Sequence, residues 1–354
     1  MLSAEAFRAI VSGEKRGPAA GLTRSLLALA ELPYALAMRI RNRHFNQGSA
    51  TVKQVEVPVI SIGNLTLGGT GKTPMVGWIA RWFRQQGVRV SIVSRGYGAE
   101  SNSSNDEAKE LEARLPDVPH LQNPERYRAA RIAIDELDTQ LILLDDGFQH
   151  RRLHRDLDLV LIDATEPFGY EHVFPRGMLR EPLSGLQRAD AIILTRCNLV
   201  DKAQIATIRA QAMRLAPQAK WIEVGHEATE LRSSSGKCTP LTELAGKSVI
   251  AFCGIGNPTA FRDTLEAHQL MISDFRMFPD HHTYSREDIR NLADWSQHAS
   301  PHQAVICTHK DLVKISTDRL GQQPLYALLI DLKIQHGGEQ LEHLLHASLP
   351  SEER

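Results

Sequence analysis

Cysteine is scarce in this chain. The 354 residues hold 4 cysteines, at positions 197, 238, 253 and 307. No two form a CxxC pair, which excludes a zinc ribbon and a disulfide framework and leaves buried free thiols in a reducing compartment. Long apolar runs are also missing. No stretch reaches the roughly 18–20 apolar residues of a membrane span; residues 22–40 come nearest, but Arg24, Glu31, Pro33 and Arg39 interrupt them. No basic start leads into an uninterrupted apolar core and a small-residue cleavage site, so no signal peptide is expected. Charge of one sign is absent as well: 41 Lys and Arg face 42 Asp and Glu. That balance excludes a global nucleic-acid-binding charge, and no nucleic-acid partner is expected. No internal repeat or low-complexity tract is evident.

What is present points to a soluble protein with a sizeable core. Hydrophobic residues make up 42 % of the chain, and the length suggests two domains. After a basic leader, short apolar runs alternate with helix-like segments. VPVISI (57–62), RVSIV (89–93), LILL (141–144), LDLVLID (157–163) and DAIILT (190–195) read as strands, with helices at 73–86 and 130–137 between them. A second set follows: SVIAFC (248–253), a helix at 260–268, AVICT (304–308) and LYALLID (325–331). The alternation predicts an α/β fold with a doubly wound parallel sheet of the P-loop NTPase type, a second smaller α/β domain and an N-terminal amphipathic helix. The expected division is a membrane-associating segment at 1–50, a phosphate-binding kinase domain at 51–220, a linker at 221–247, where the apolar pattern weakens, and a C-terminal α/β domain at 248–354.

The segment GNLTLGGTGKTP (63–74) lies between a strand and a helix, the context a phosphate-binding loop requires. Glycines let backbone N–H groups wrap an anion, and the helix N-terminus adds its positive end. Within the loop Thr66, Leu67, Gly68, Gly69, Thr70, Gly71, Lys72 and Thr73 are the ATP-binding candidates. Lys72 would reach the β- and γ-phosphates, and the Thr73 hydroxyl would hold Mg²⁺. The pattern departs from GxxxxGK[ST] only at Thr66, and Gly68 and Gly69 are expected to supply the missing freedom. Pro74 falls in the first helical turn, where a missing N–H is tolerated. A second magnesium group is needed on a neighbouring strand. LILLDDGFQH (141–150) supplies Asp145 and Asp146 at a strand's carboxyl end, where α/β sheets bind ligands. His150 and His154, four apart, would share a helix face as surface or substrate-contacting residues, without the third ligand a metal site needs. Guanine-reading signatures are absent: Leu144 stands where DxxG needs its acid, and Asn198 of TRCN (195–198) stands where a base-reading Asp belongs. ATP is therefore the expected nucleotide.

Taken together these segments resemble the tetraacyldisaccharide 4'-kinase family, the lipid A 4'-kinases of Gram-negative bacteria. The resemblance is carried, in order over about 250 residues, by GNLTLGGTGKTP, VSRGYG (93–98), NDEA (105–108), LDDGFQHRRLHRDLDLVLID (144–163), LREP (179–182), GIGNP (254–258), FPDHHTY (278–284) and THKDLVK (308–314). It implies transfer of the ATP γ-phosphoryl group to the 4'-hydroxyl of a tetraacylated glucosamine disaccharide 1-phosphate. It also implies Mg²⁺, a cleft between two α/β domains, and attachment to the cytoplasmic face of the bacterial inner membrane, peripherally or through the N-terminus. No obligate protein partner is implied. Asp145 and Asp146 match the magnesium-site acids, with Glu107 an acidic neighbour of the metal. Asp106 matches the catalytic base and His281 its partner. Arg95, Arg126 and Arg180 fall at positions suited to lipid-substrate contacts. The chain departs from the family at Ala108, where Pro is frequent, and in FPRGM (174–178), where PxGP is usual. A different class with the same loop, a regulatory NTPase or metallochaperone, is disfavoured by the missing guanine signatures and metal-delivery cysteines.

The leader remains open on sequence. Leu22, Leu26, Leu29, Leu36 and Ile40 recur at helical spacing, Arg24 and Glu31 share the opposite face, and Arg39, Arg41 and Arg43 follow. Such a helix fits packing on the protein's own core as well as an anionic membrane surface; the resemblance favours the membrane. Pro33 is expected to bend or split it. GIGNP fits a plain strand-to-helix turn as well as a substrate loop.

Overall fold

The computed structural model describes residues 4–96, 111–112, 114–256, 258–279, 282–299 and 302–350. The chain forms two compact units: residues 1–95, 118–226 and 332–354, and residues 96–117 and 227–331.

The first unit opens with helix α1 (Ala4–Val11) and helix α2 (Pro18–Asn46). Strand β1 (Val59–Asn64), helix α3 (Lys72–Gln85), β2 (Val90–Ser94), β3 (His120–Gln122), α4 (Arg126–Leu137), β4 (Leu141–Asp145), β5 (Leu157–Asp163), β6 (Ala191–Thr195) and α5 (Lys202–Leu215) follow. Strand β7 (Lys220–Arg232) begins in this unit and continues into the second. The sheet order β7-β6-β5-β1-β4-β2-β3 is parallel throughout. The chain leaves β1 first to one side and then to the other, so the carboxyl end of β1 lies at a switch point, where such sheets bind ligands. β1 and β4–β6 are buried along their whole length, as expected for parallel strands covered on both faces. Helix α3 turns Met75, Val76, Ile79, Ala80 and Phe83 inward; burial of a side chain such as Ile79 or Phe83 contributes roughly 2 kcal/mol.

The second unit adds β8 (Cys238–Pro240), β9 (Ser248–Cys253), α6 (Pro258–Ala267), β10 (Met271–Met277), α7 (Arg286–His298), β11 (Val305–Thr308), α8 (His309–Ile315), β12 (Arg319–Leu320) and β13 (Gln323–His336). Its parallel core is β10-β9-β11-β13, and β8 pairs antiparallel with β7 at Glu230–Pro240. The chain ends in the first unit with α9 (Gly338–Ala347). Residues 221–247, expected as a linker, thus carry most of β7 and all of β8. Strand β7 mixes buried with partly or fully exposed positions, so it lacks the continuous apolar run of a fully buried strand.

Two expectations about local structure are corrected. Helix α2 runs unsplit through Pro33. Pro33 is exposed, so water can reach the carbonyl it leaves unpaired. Its neighbours are pinned on either side: Glu31 accepts from the Val173 N–H at 2.7 Å, and the Tyr34 hydroxyl donates to the Arg180 carbonyl at 3.1 Å. His150 and His154 do not share a helix face; both lie in the turn segment between β4 and β5, which Gly147 and a left-handed Asp146 (φ 53°) open.

Candidate active site

The glycine-rich segment connects β1 to α3 as the sequence implies. Gly68 and Gly71 adopt φ of 125° and 82°, a region that glycine enters without strain; Gly71, rather than Gly69, supplies the second turn. The loop is tied to the rest of the unit by its backbone. The Leu67 N–H donates to the Met178 carbonyl at 2.6 Å, and the Arg180 N–H donates to the Leu65 carbonyl at 2.7 Å. The Thr195 hydroxyl at the end of β6 donates to the Thr70 carbonyl at 2.9 Å. Thr70 and Thr73 are buried, and the Thr70 hydroxyl oxygen has no protein hydrogen-bond partner. A buried hydroxyl left unmatched is costly, and a phosphate oxygen would satisfy it.

Asp145 closes β4 opposite Ile62 of β1, which puts the acid pair beside the loop. Asp146 is held by two cations. Lys72 Nζ lies 3.4 Å from Oδ1, and Arg180 Nη1 lies 2.6 Å from Oδ2. Burial pushes the Asp146 carboxyl up, but Lys72 and Arg180 together outweigh it and hold the group below its ordinary value. The acid is therefore ionised at neutral pH and pairs with the lysine. This turn tolerates no side chain at its glycines. A Cβ on Gly147 would meet Leu144 Cβ and Ser61 Oγ at 2.8 Å, and one on Gly63 would meet Phe148 Cβ at 2.6 Å.

The oxygen donors Thr73, Asp145 and Asp146 suit Mg²⁺, which keeps most of its water and takes one or two carboxylates with substrate phosphates. Among the described residues no group of three or more His, Cys, Asp or Glu could hold a metal alone. Lys72, Asp145, Asp146 and Arg180 are thus brought together. Arg95 follows the carboxyl end of β2, exposed, and Arg126 opens α4, buried; both belong to the carboxyl-end side of the sheet by topology. Asp106, Glu107, Tyr97 and His281 lie outside the described residues.

Asn198 does not stand free beside the loop. Its amide donates to the His226 carbonyl at 3.1 Å and accepts from the His226 N–H at 2.9 Å. Burial, with Arg196 nearby, pushes the His226 ring down to about 4, so it is neutral. One residue had no part in the sequence expectations: Glu181 of LREP, fully buried. It pairs with Arg188 at 2.9 Å and accepts from Asn42 at 2.6 Å and from Gln149 at 3.1 Å. Gln149 in turn donates to the Asn64 carbonyl at 2.9 Å. The carboxylate therefore joins α2, the DDGFQH turn and the end of β1. The one signal in sequence was its place inside a family segment.

In the second unit, buried Asp311 gathers the segments GIGNP, FPDHHTY and THKD. It accepts from the Gly254 N–H at 3.1 Å, the Tyr284 hydroxyl at 2.9 Å and the Thr308 hydroxyl at 2.6 Å. His282 stacks on Phe278 and faces Asp288 at 3.3 Å, while Lys314 holds its carbonyl at 3.0 Å. GIGNP begins as a turn anchored by a carboxylate.

Residues 23–350 match the family model described as Tetraacyldisaccharide-1-P 4'-kinase. The tetraacyldisaccharide 4'-kinase of Geobacter sulfurreducens is 34 % identical over 92 % of this chain and 94 % of its own length. That of Halothermothrix orenii is 35 % identical, covering 83 % of each chain. Among solved structures, LpxK from Aquifex aeolicus in complex with ATP superposes with a TM-score of 0.74 at 29 % identity, over 92 % of this chain and 99 % of that one. The loop, the acid pair and the cations that bracket them thus sit in a chain that belongs to the tetraacyldisaccharide 4'-kinase family.

Proposed function

We propose that this chain transfers the γ-phosphoryl group of ATP to the 4'-hydroxyl of a tetraacylated glucosamine disaccharide 1-phosphate, forming the bis-phosphorylated lipid A precursor. The observation that carries the reading is Asp146 held between Lys72 and Arg180 at the end of the phosphate-binding loop, in a chain of this family. Thr66 to Thr73 cradle the phosphates, and Lys72 stabilises charge developing on the transferred group. Thr73, Asp145 and Asp146, with Glu107, would hold Mg²⁺, which when bound neutralises the β- and γ-phosphate oxygens. Asp106 takes the proton of the sugar hydroxyl; an aspartate with a pKa near ~4 is a weak base, and His281 orients it and shares the proton. Arg95 and Arg126 contact the lipid substrate, and Arg180 has a place on both sides, as Asp146's partner and as a substrate contact. Phosphate chemistry belongs to residues 51–220, and residues 248–354 bring His281.

The same reading places the enzyme on a membrane. Among the described residues no helix is long and apolar enough to cross one. Helix α2 shows solvent its apolar stripe: Leu22, Leu26, Leu29, Leu36 and Ile40, with Leu32 beside them, are 50–66 % exposed. Its polar residues Glu31, Tyr34, Arg41 and Asn42 do the docking onto the first unit. The leucine stripe lies in the interface of an anionic leaflet, on the cytoplasmic face of the inner membrane. The deciding experiment incubates labelled ATP with tetraacyl disaccharide 1-phosphate in mixed micelles and follows label into the lipid. Hydrolysis of ATP without lipid labelling would instead favour a regulatory NTPase.

A further inference from the structure

Helix α1 lies before residue 23, where the match to the family model begins, yet it docks beside the phosphate-binding loop. Its anchors are apolar side chains and backbone carbonyls. Ile10 and Val11 are buried, and the Phe7 ring meets the Phe174 ring at 6.2 Å. The Arg24 guanidinium donates to the Ile10 and Lys15 carbonyls at 3.2 Å and 3.0 Å, and the Arg176 guanidinium donates to the Val11 carbonyl at 3.3 Å. Arg176 belongs to FPRGM (174–178), whose Met178 carbonyl accepts the Leu67 N–H of the loop at 2.6 Å. One short turn therefore holds α1 and the loop together. Arg8 takes no part in those anchors. Its side chain is 47 % exposed and reaches the loop: a Cβ on Gly68 would stand 3.6 Å from Arg8 Nη2. Glycine puts no side chain between the guanidinium and the loop backbone there. The partner of Arg8 is a loose one. Its Nε lies 3.5 Å from Glu166 Oε1, and that oxygen, though buried, has no protein hydrogen-bond partner. An exposed ion pair without a hydrogen bond contributes little to stability. The other cations at the loop, Lys72 and Arg180, both pair with Asp146.

From this arrangement we infer that Arg8 is a catalytic residue supplied by α1: when ATP binds, its guanidinium leaves Glu166 and donates to the terminal phosphate. The inference rests on the proposed function. A guanidinium fork is matched to phosphate oxygens and holds them by paired charge-assisted hydrogen bonds. In phosphate-loop enzymes an arginine supplied by the same chain stabilises the charge of the transferring phosphoryl group. The terminal phosphate is the one in reach, because the N-terminus of α3 draws the inner phosphates to itself, and Gly68 stands on the limb of the loop away from that helix. Arg8 forms and breaks no covalent bond; it adds a positive charge where negative charge develops.

The test measures label transfer from ATP to the tetraacyl disaccharide 1-phosphate in neutral mixed micelles, at saturating ATP and Mg²⁺, for Arg8→Ala, Arg8→Lys and Glu166→Gln. For Arg8→Ala, kcat should fall on the order of tenfold or more, with the KM for lipid unchanged. That is less than the about 10³–10⁵-fold of an arginine finger, because this side chain starts exposed and must be ordered. Arg8→Lys, which keeps charge but loses the fork, should fall between, and it serves if the alanine variant unfolds. Glu166→Gln removes the resting partner and leaves Arg8 in place, so its kcat should stay at the wild-type value. A pair that only fastens α1 predicts equal losses in Arg8→Ala and Glu166→Gln, and that result would overturn the inference. So would an unchanged kcat in Arg8→Ala. Calorimetry without lipid supplies a second reading: the preference for the β,γ-imido analogue of ATP over ADP, both with Mg²⁺, should shrink severalfold in Arg8→Ala while ADP affinity holds. If the wild type labels no lipid, the proposed function fails on its own account. The calorimetric preference then decides: a smaller preference in Arg8→Ala supports the contact, and an equal one removes it.

Discussion

Lys72→Ala separates the chemistry of the phosphate loop from its architecture. The ammonium lies 3.4 Å from Asp146 Oδ1, and its side chain is 12 % exposed. Removing it leaves Asp146 with Arg180 at 2.6 Å. The pair is largely buried, so its loss costs about 1–3 kcal/mol, more than a surface pair would, and each kcal/mol lowers the melting temperature by about 2–4 °C in a domain of 150–250 residues. The transition state loses far more. A group placed on developing phosphoryl charge is worth on the order of 100-fold or more in rate, about 2.7 kcal/mol. The expected signature is transfer of label from ATP to the lipid acceptor falling at least about 100-fold, with circular dichroism unchanged and a melting shift of that size. Lys72→Arg should not restore the rate, since a planar fork does not reproduce a compact ammonium. A variant that folds normally and retains more than about a tenth of the wild-type rate would refute the assignment of Lys72 to the phosphates.

Asp106→Ala and His281→Ala should each slow transfer, and the double variant should be little worse than the worse single one, because groups acting as one unit are not additive; losses that simply multiply would separate their roles. Gly63→Ala, whose Cβ would stand 2.6 Å from Phe148 Cβ and 2.7 Å from the Phe148 backbone nitrogen, should destabilise by about 1–3 kcal/mol, and an unchanged melting temperature would show that the turn yields freely. Stability should fall as pH drops from about 6.5 towards about 4. Over that window the unfolded chain takes up protons that His120, His150 and His226, each pushed down to about 4 chiefly by burial, refuse in the fold; His226→Gln should flatten part of the slope. Changing Leu22, Leu26 and Leu29 to Asp should leave melting unaltered and abolish sedimentation with anionic vesicles, since each buried leucine contributes roughly 1.5–3 kcal/mol; variants that sediment as the wild type does would exclude α2 as the docking surface.

Most of what the sequence made legible was local and strongly patterned. The largely apolar runs of β1, β4, β5 and β6 fit strands covered on both faces, and the glycines and Gly71-Lys72-Thr73 between one of them and α3 pointed to the loop. The acid pair followed from its place at a strand's end. Long-range polar structure was invisible. A glutamate defaults to the surface in any single-sequence reading, so the burial of Glu181 needed the positions of Arg188, close by in the chain, and of Asn42 and Gln149, which come from two distant segments. Strand β7 was missed because charged and polar residues at its exposed and partly buried positions break the apolar run. The histidines of the DDGFQH segment have helical spacing, but Gly147 and the left-handed Asp146 turn the backbone there, and spacing alone cannot report that.

Helix α2 carries the lesson furthest. Periodicity tells which residues share a face, and the usual inference, that the apolar face turns inward, is a statement about water. Here the protein's own contacts run through the other face. Glu31 takes the Val173 N–H and faces His172 at 3.0 Å; Tyr34 reaches Arg180, and Asn42 reaches Glu181. These are directional bonds to groups that lie beside the phosphate loop or lead to it, and no sliding of the helix preserves them. The leucines opposite gain nothing from this docking. In water they leave an apolar stripe exposed on one helix face, the kind of feature that marks an interaction surface when it is contiguous. Set in a leaflet, the same stripe is buried, while the polar face keeps its grip on the turn that carries Asp146. Under the proposed membrane docking, contact with the leaflet and the polar contacts to the site would depend on one helix. A lipid acceptor would be met where the helix enters the bilayer, and Arg41 stands on that same helix, its guanidinium already bound to the turn.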